Sequence, residues 1–316
     1  MRALIPVRIG EAVVDVAVPR WPGPALPGVR MAGFRGGADS VLDLRMVPYP
    51  ELTLFVDFGD ALFVDDACGR QQRGCVVVGL APDSVHGYAR DADCLQIRLS
   101  PAVAHAVLGA SSELGGTVVD LEDLWGRDAV RFREQLRDAG SWDERFAIAE
   151  GTLGRRCEAG RTLDPEVAFI WQRMMGSGGQ ARVSRLAEEV GWRRKRLWSR
   201  FRAQVGLTPK HAAKLVRFDH AAHRLAAGDS AASVAADGGF VDQSHLSRDV
   251  KDFTGLTPAT VAHALWLAVD DVAWPVPAQC PGQCKCQCPG RRLGRSGTFV
   301  QDVRRCGDDA EGHAEN

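Results

Sequence analysis

Leu186-Ala-Glu-Glu-Val-Gly-Trp192, followed by Leu197, Phe201 and Gly206-Leu-Thr-Pro209, is answered later in the chain by Val234-Ala-Ala-Asp-Gly-Gly-Phe240, Leu246, Val250 and Gly255-Leu-Thr-Pro258. The first halves are offset by 48 residues (Gly191 to Gly239), the second by 49 (Pro209 to Pro258), so the second copy has gained one residue just after its Gly-aromatic pair. Each unit reads as a short helix, a tight turn at Gly and a second amphipathic helix. Two helix-turn-helix units in one chain imply contact with two successive DNA grooves.

The second helix of unit one is expected over 193–205, with Leu197 and Phe201 as its buried seam. Arg193, Arg194, Lys195, Arg196, Arg200 and Arg202 surround that seam. Residues near the N-terminus of such a helix meet base edges, and flanking cations meet phosphates. In unit two the corresponding helix is expected over 242–253, burying Leu246, Val250 and Phe253 and presenting Gln243, Ser244, His245 and Arg248, with Lys251 beside them. Gln and Arg carry the forked donors and acceptors that match adenine and guanine edges. Unit two has fewer cations and should contribute less affinity. Between the units, Thr208 as N-cap and Pro209 in the first turn predict a helix over 209–226, with Ala213, Leu215, Val216, Phe218, Ala222 and Leu225 as packing residues. Ahead of the repeat, Asp164 as cap and Pro165 predict a linker helix with Val167, Ile170, Trp171 and Met174 inward. Ser184 is expected to open the first helix of unit one, and Ser230 that of unit two.

The 316 residues, 45% apolar, suffice for two domains, and the net charge of -1 conceals a division. Residues 1–160 carry 17 Arg against 23 acidic residues, whereas 181–263 carry 14 basic residues against 8 acidic ones. An acidic half followed by a basic repeat fits a sensor or partner domain joined to a polyanion-binding one. No run of eighteen apolar residues predicts a membrane span, and Met1–Gly10 does not read as an export signal. Nine cysteines without a disulfide rhythm favour a reducing, cytoplasmic setting.

The first 160 residues read as strands followed by helices. Strands are expected at 13–18, 52–58, 61–64, 75–80 and 95–99; Leu95, Ile97 and Leu99 alternate with Gln96 and Arg98 as a half-buried strand should. Pro101 opens a short helix through Leu108, and 127–139 and 142–157 have helical spacing. None of the familiar nucleophile-elbow, phosphate-loop, dinucleotide or zinc-protease motifs occurs, so no enzyme is expected. His86 and Tyr88 stand two apart beside a strand and are candidates for a pocket wall, although rim or core placement is the commoner role of such residues.

The Gly-aromatic pair followed by Asp-Gln-Ser-His-Leu-Ser-Arg (242–248) and Gly-Leu-Thr-Pro resembles the AraC/XylS family of bacterial transcription regulators, over about 164–263. The resemblance implies an α+β chain of two domains: an all-α double helix-turn-helix domain at 164–263, and an effector-sensing or dimerisation domain at 1–160. The strand-rich half is itself similar to effector domains of actinobacterial members, which implies a cupin-like β-barrel plus helices. By position, the base-facing set implied is Lys195, Trp198 and Ser199, then Gln243, Ser244, His245 and Arg248. The phosphate-facing set is Arg193, Arg194, Arg196, Arg200, Arg202 and Lys251. Partners implied are double-stranded DNA, a small-molecule effector and, for an activator, RNA polymerase; a homodimer is compatible. Val250 stands where the family usually has Phe, and Val261-Ala262 replaces the usual Tyr-Arg.

Residues 264–316 read as a disordered extension containing Cys280, Cys284, Cys286 and Cys288. Four thiols in nine residues are enough ligands for zinc, though the spacing is unlike the paired Cys-x2-Cys of structural zinc modules. Two alternatives to an effector-controlled regulator stay open at this point: a metal- or redox-sensing regulator using these cysteines, and a DNA-repair methyl-acceptor. The latter needs a reactive Cys in a Pro-Cys-His setting, and no Cys here precedes His.

Overall fold

The computed structural model describes residues 4–9, 12–19, 26–36, 42–65, 69–81, 85–90, 92–109 and 113–274. Strands come first: β1 (Ile5–Ile9), β2 (Ala12–Ala17), β3 (Val29–Gly36), β4 (Leu42–Met46), β5 (Leu52–Asp57), β6 (Leu62–Asp65), β7 (Arg70–Arg73), β8 (Cys75–Val78), β9 (Val85–Ala89), β10 (Asp93–Leu99) and β11 (Val118–Asp120). They form two antiparallel sheets, in the orders β1-β2-β3-β10-β5-β8-β11 and β4-β9-β6-β7. The sheets face each other: Phe55, Val76 and Val78 of the first pack with Phe63 and Val85 of the second.

Strand β10 shows how the layers are built. Leu95, Ile97 and Leu99 join Leu52, Leu54 and Val56 of β5 in the core shared with the helices outside the sheet. The opposite face carries Cys94, Gln96 and Arg98, which with Phe55 and Asp57 line the space between the sheets. Arg98 is only 3% exposed, so the expectation of a half-buried strand is corrected: both faces of β10 are covered. The polar alternation that normally marks a solvent face here marks the face turned toward the second sheet.

Helix α1 (Pro101–Leu108) starts where the Ser100 hydroxyl accepts from the Val103 amide, and it buries Val103, Ala104, Val107 and Leu108. Helices α2 (Leu121–Trp125), α3 (Arg127–Asp138) and α4 (Trp142–Ala159) add Leu121, Trp125, Phe132, Leu136, Phe146 and Leu153 to the same core. The helical remainder consists of α5 (Pro165–Gly176), α6 (Val183–Glu189), α7 (Arg194–Val205), α8 (Pro209–Ala226), α9 (Ala231–Asp237), α10 (Gln243–Thr254), α11 (Pro258–Ala262) and α12 (Leu265–Ala273). The fold class is thus a strand-rich first part and a helical second part. The apolar cluster is continuous from Leu52 through Phe201 and Phe218 to Leu267, and Met1–Val276 forms one unit.

Two expectations need correction. The segment expected to be disordered from 264 is helical at its start: residues 265–273 form α12, which packs on β1, β2 and β4 and buries Leu267, Val269, Ala273 and the following Trp274. These apolar residues gain enough from burial to hold a short helix against the sheets. Unit one opens at Val183 with Arg182 in the N-cap position and no side-chain cap, instead of at Ser184. Cys280, Cys284, Cys286 and Cys288 lie outside the described residues. Among the described residues no helix is long and apolar enough to cross a membrane.

Candidate nucleic-acid interface

The two repeat units are built alike. In unit one, Gly191 takes φ +65° between α6 and α7, a left-handed turn that side chains resist. Trp192 then folds into the corner, its amide donating to the Ala187 carbonyl at 2.8 Å. In unit two Gly239 takes φ +74° and Phe240 is the buried corner residue. Leu197 and Phe201 of α7, and Leu246, Val250 and Phe253 of α10, form the inward seams. Thr208 caps α8 by accepting from the His211 amide, and Ser230 caps α9 by accepting from Ser233.

This packing leaves a defined set of side chains outward. Arg193, Arg194, Lys195, Arg196, Ser199 and Arg202 are exposed on or beside α7, and Gln243, Ser244, Arg248 and Lys251 on α10. Arg196 lies over the Trp192 ring at 4.7 Å, which orients its stem without neutralising its charge. The Arg248 Nε donates to the Ser244 carbonyl at 3.3 Å.

Three expected contact residues are otherwise engaged. Arg200 makes two 2.7 Å bonds to the Asp164 carboxylate. Asp164 therefore pairs with α7 instead of capping α5, whose N-terminus has no side-chain cap. Burial pushes the Asp164 carboxyl up, but the hydrogen bonds with Arg200 and Gln204 and the Arg200 charge together outweigh it and hold the group below its usual range. Trp198 is half-buried, and its indole Nε1 is buried without a hydrogen-bond partner among the described residues. Its polar edge is thus withheld from solvent. His245 turns back on its own turn: its Nδ1 accepts from the Val241 amide at 3.2 Å and its ring meets Phe240 edge-on.

The sequence reading did not single out Val241. At 87% exposure beside Gln243, it is the most exposed large apolar side chain described. An unburied Val at the start of such a helix fits contact with a thymine methyl. Nor did it single out the clamp between α8 and α10: Lys214 reaches Asp249 at 3.3 Å and Asp252 at 2.6 Å, and Arg217 reaches Asp249 at 2.9 Å. Asp249 is only 5% exposed, so its two pairs are shielded from salt better than surface ones, whereas the Asp252 pair is exposed.

A second site lies between the sheets, an apolar cavity of about 160 Å³. Tyr88 lines it, whereas His86 stacks on Tyr88 at 5.9 Å and approaches Asp43 at 3.6 Å instead of reaching the wall. Helix α12 contributes Val269, Asp270 and, just beyond its end, Trp274. Asp270 accepts from Arg98 at 2.8 Å and from the Tyr49 hydroxyl at 3.3 Å, and its second oxygen lies 3.2 Å from His223 Nε2 on α8. The Arg98 guanidinium lies between the Tyr49 ring, 3.7 Å away, and the Trp274 ring, 4.2 Å away. His223 Nδ1 lies 2.8 Å from the Asp219 carbonyl. A carbonyl and a carboxylate both require a donor, so the ring is an imidazolium. In accord with this, the Asp270 hydrogen bond is the main cause that raises His223 to about 9.

The described cysteines are poor nucleophiles. Burial pushes the Cys75 thiol up to about 12 and raises Cys94 and Cys157 as well. None is poised as the thiolate that methyl transfer requires.

Two tandem units with paired seams, corner aromatics and outward cationic helices define a double helix-turn-helix, DNA-binding class of domain. Residues 186–264 match the family model described as a helix-turn-helix domain, and this part of the chain is an AraC-type domain. The chain is accordingly a DNA-binding transcription regulator. It is similar to the crystal structure of ToxT from Vibrio cholerae O395, at 12% identity over 76% of this chain and 99% of that one, with a TM-score of 0.44. It is also similar to unsaturated fatty acid bound wild-type ToxT from Vibrio cholerae strain SCE256, at 11% identity over 76% and 96% of the two chains and a TM-score of 0.42. The C-terminal domain of AraT, a response regulator from Geobacillus stearothermophilus, is similar at 20% identity over 32% of this chain and 86% of that one, with a TM-score of 0.30. A comparison with curated proteins found no match.

Proposed function

We propose that the protein is a sequence-specific regulator whose two recognition helices, α7 and α10, read adjacent major-groove segments under the control of a small molecule bound between the sheets. The observation that carries the DNA-reading part is the outward face of the two helices. Lys195 and Ser199 on α7, and Gln243, Ser244 and Arg248 on α10, project from units whose opposite faces are fully buried. These side chains are assigned to base edges. Arg193, Arg194, Arg196, Arg202 and Lys251 are assigned to phosphates. Effector control rests on the apolar cavity, whose wall includes a helix that follows directly on the second unit. RNA polymerase is the partner if the protein activates, and a homodimer would bind paired sites.

Selection of the full-length protein against a random DNA library at near-physiological salt tests this reading. Enrichment of a motif with two boxes about one helical turn apart is expected. A single enriched box would remove unit two from base reading, and no enrichment at all would count against sequence-specific binding by the unliganded protein.

A further inference from the structure

Resting on the reading of the cavity as an effector site, we propose its ligand class: an uncharged, single-ring molecule bearing one acceptor oxygen, whose occupancy steadies α12 and, through Asp270, helix α8.

Size sets the first limit. A void of about 160 Å³ walled by Val14, Phe34, Phe55, Phe63 and Trp274 admits one ring, since an apolar cavity of about 150 Å³ holds benzene. Charge sets the second. The only wall cation among the described residues, Arg98, is already paired with Asp270, and Asp57 adds a second wall carboxylate. Asp57 is raised by burial only to about 6, so it is mostly ionised at neutral pH. An anion would face two carboxylates with no cation to spare. A cation would lose its hydration to a mostly apolar wall. The hydrogen-bonding requirement comes from Gln96 and Tyr88, polar side chains on an otherwise mostly apolar wall. A polar group covered by a ligand without a partner is costly, and a hydroxyl or carbonyl oxygen on the ring would give these side chains one.

The same residues carry the signal. Val269, Asp270 and Trp274 are wall residues that belong to α12 or its end, so a bound ring adds contacts that exist only while α12 is docked. Asp270 in turn bonds His223 of α8, the helix on which both units pack. Ligand contacts made in one conformation alone shift the equilibrium toward it.

The test uses benzyl alcohol, benzoate and benzylamine, one skeleton with a neutral, anionic or cationic head, on the full-length protein. Benzyl alcohol is expected to raise Tm by about 2–4 °C at ten times its dissociation constant. It should also slow amide exchange across 265–273, with no response to the charged pair at equal concentration. Asp270→Asn keeps the shape but leaves Arg98 uncompensated, so this variant should gain a benzoate response. An equal benzoate or benzylamine shift in the wild type would overturn the ligand class. A benzyl alcohol shift without slowed exchange at 265–273 would overturn the link to α12. If no probe shifts Tm while the library yields two boxes, the ligand inference falls and the DNA reading stands. If benzyl alcohol binds as expected but leaves DNA affinity unchanged, the effector reading falls and the ligand class stands.

Discussion

At the scale of single residues, the buried cluster around Asp270 ties stability to pH. His223 is held at about 9, above its usual 6.5, first by its hydrogen bond to Asp270 and then by the Asp219 charge. A raised basic group stabilises fully below its unfolded pKa and loses that contribution as pH climbs through the folded value. Tm should therefore fall between about pH 6.5 and 9.5, and His223→Gln should flatten that limb in thermal melts. Burial raises Asp57 and Asp219 to about 6, which has the same sign but acts lower, between about pH 4 and 6. Burial opposes ionisation of Asp270 too, but the His223 hydrogen bond and the Arg98 charge outweigh it and keep its carboxyl below the usual range. Its contribution is lost only as pH falls further, through that lowered value. A His223→Gln melt that keeps the wild-type slope from pH 7 to 9 would contradict the assignment. On the DNA side, Arg248→Ala should cost about 1–3 kcal/mol and relax preference at one or two base pairs. Arg202→Ala should weaken all sequences alike and reduce the salt slope by about 1. Titrations against cognate and scrambled duplexes at several salt concentrations separate the two; the same pattern from both variants would refute the division.

At the scale of elements, the glycine between α5 and α6 fixes how the helical part assembles. Gly179 takes φ +76°, and a Cβ there would stand 2.3 Å from the Ala213 carbonyl oxygen and 2.7 Å from the Arg217 amide of α8. Gly179→Ala should destabilise by at least about 1–2 kcal/mol from the left-handed conformation alone, with the backbone clash added. Denaturant unfolding measures this, and a loss below about 0.5 kcal/mol would show that the loop can move aside. Elements like this were legible where one local rule sufficed. The 209–226 helix emerged from Thr208, Pro209 and its apolar spacing, and its observed limits are Pro209–Ala226. Strands β1, β3, β4, β7, β9 and β11 were missed: they are short or interrupted by Pro, Arg, Gly or Gln, and the partners that fix β3, β4 and β9 lie far along the chain. In β10 the alternation was visible but its meaning was inverted, since helices cover the Leu95–Ile97–Leu99 face and Arg98 is neutralised by a residue 172 positions away. No local pattern announces such a partner. Helix α12 was lost for a related reason: Leu265 to Trp274 is short and adjoins a Pro- and Cys-rich segment, and only docking on β1, β2 and β4 makes it helical. At the interface, the seams and exposed cations were readable from spacing. The inward turn of His245 and the Arg200–Asp164 pair depend on rotamers and long-range neighbours that spacing does not encode.

At the scale of the whole molecule, the two helices proposed to read DNA are joined by a strut of fixed length, and this bears on the DNA. Helix α8 has 18 residues, roughly 27 Å at about 1.5 Å per residue, against about 34 Å between successive major grooves on one face. The protein has little freedom to make up the difference. Helix α7 is sealed to α8 through the shared apolar core, and α10 is clamped to it by the Lys214 and Arg217 pairs with Asp249. Breaking a buried pair of this kind costs about 3–5 kcal/mol. Smooth bending of a 20–30 bp site costs a comparable or smaller amount, of order 1–6 kcal/mol, and is offset by the extra contacts it allows. The DNA should therefore yield before the protein does. Circularly permuted fragments carrying the selected two-box site should migrate more slowly with the site at the centre than at the end. Identical mobilities, together with footprints over both boxes, would mean that the units open instead. Lys214→Ala decides between these accounts: by removing the contacts to Asp249 and Asp252 it loosens α10 on the strut, so both boxes should stay occupied while the mobility difference shrinks. An undiminished difference in that variant would place the stiffness in the apolar seam and not in the ion-pair clamp.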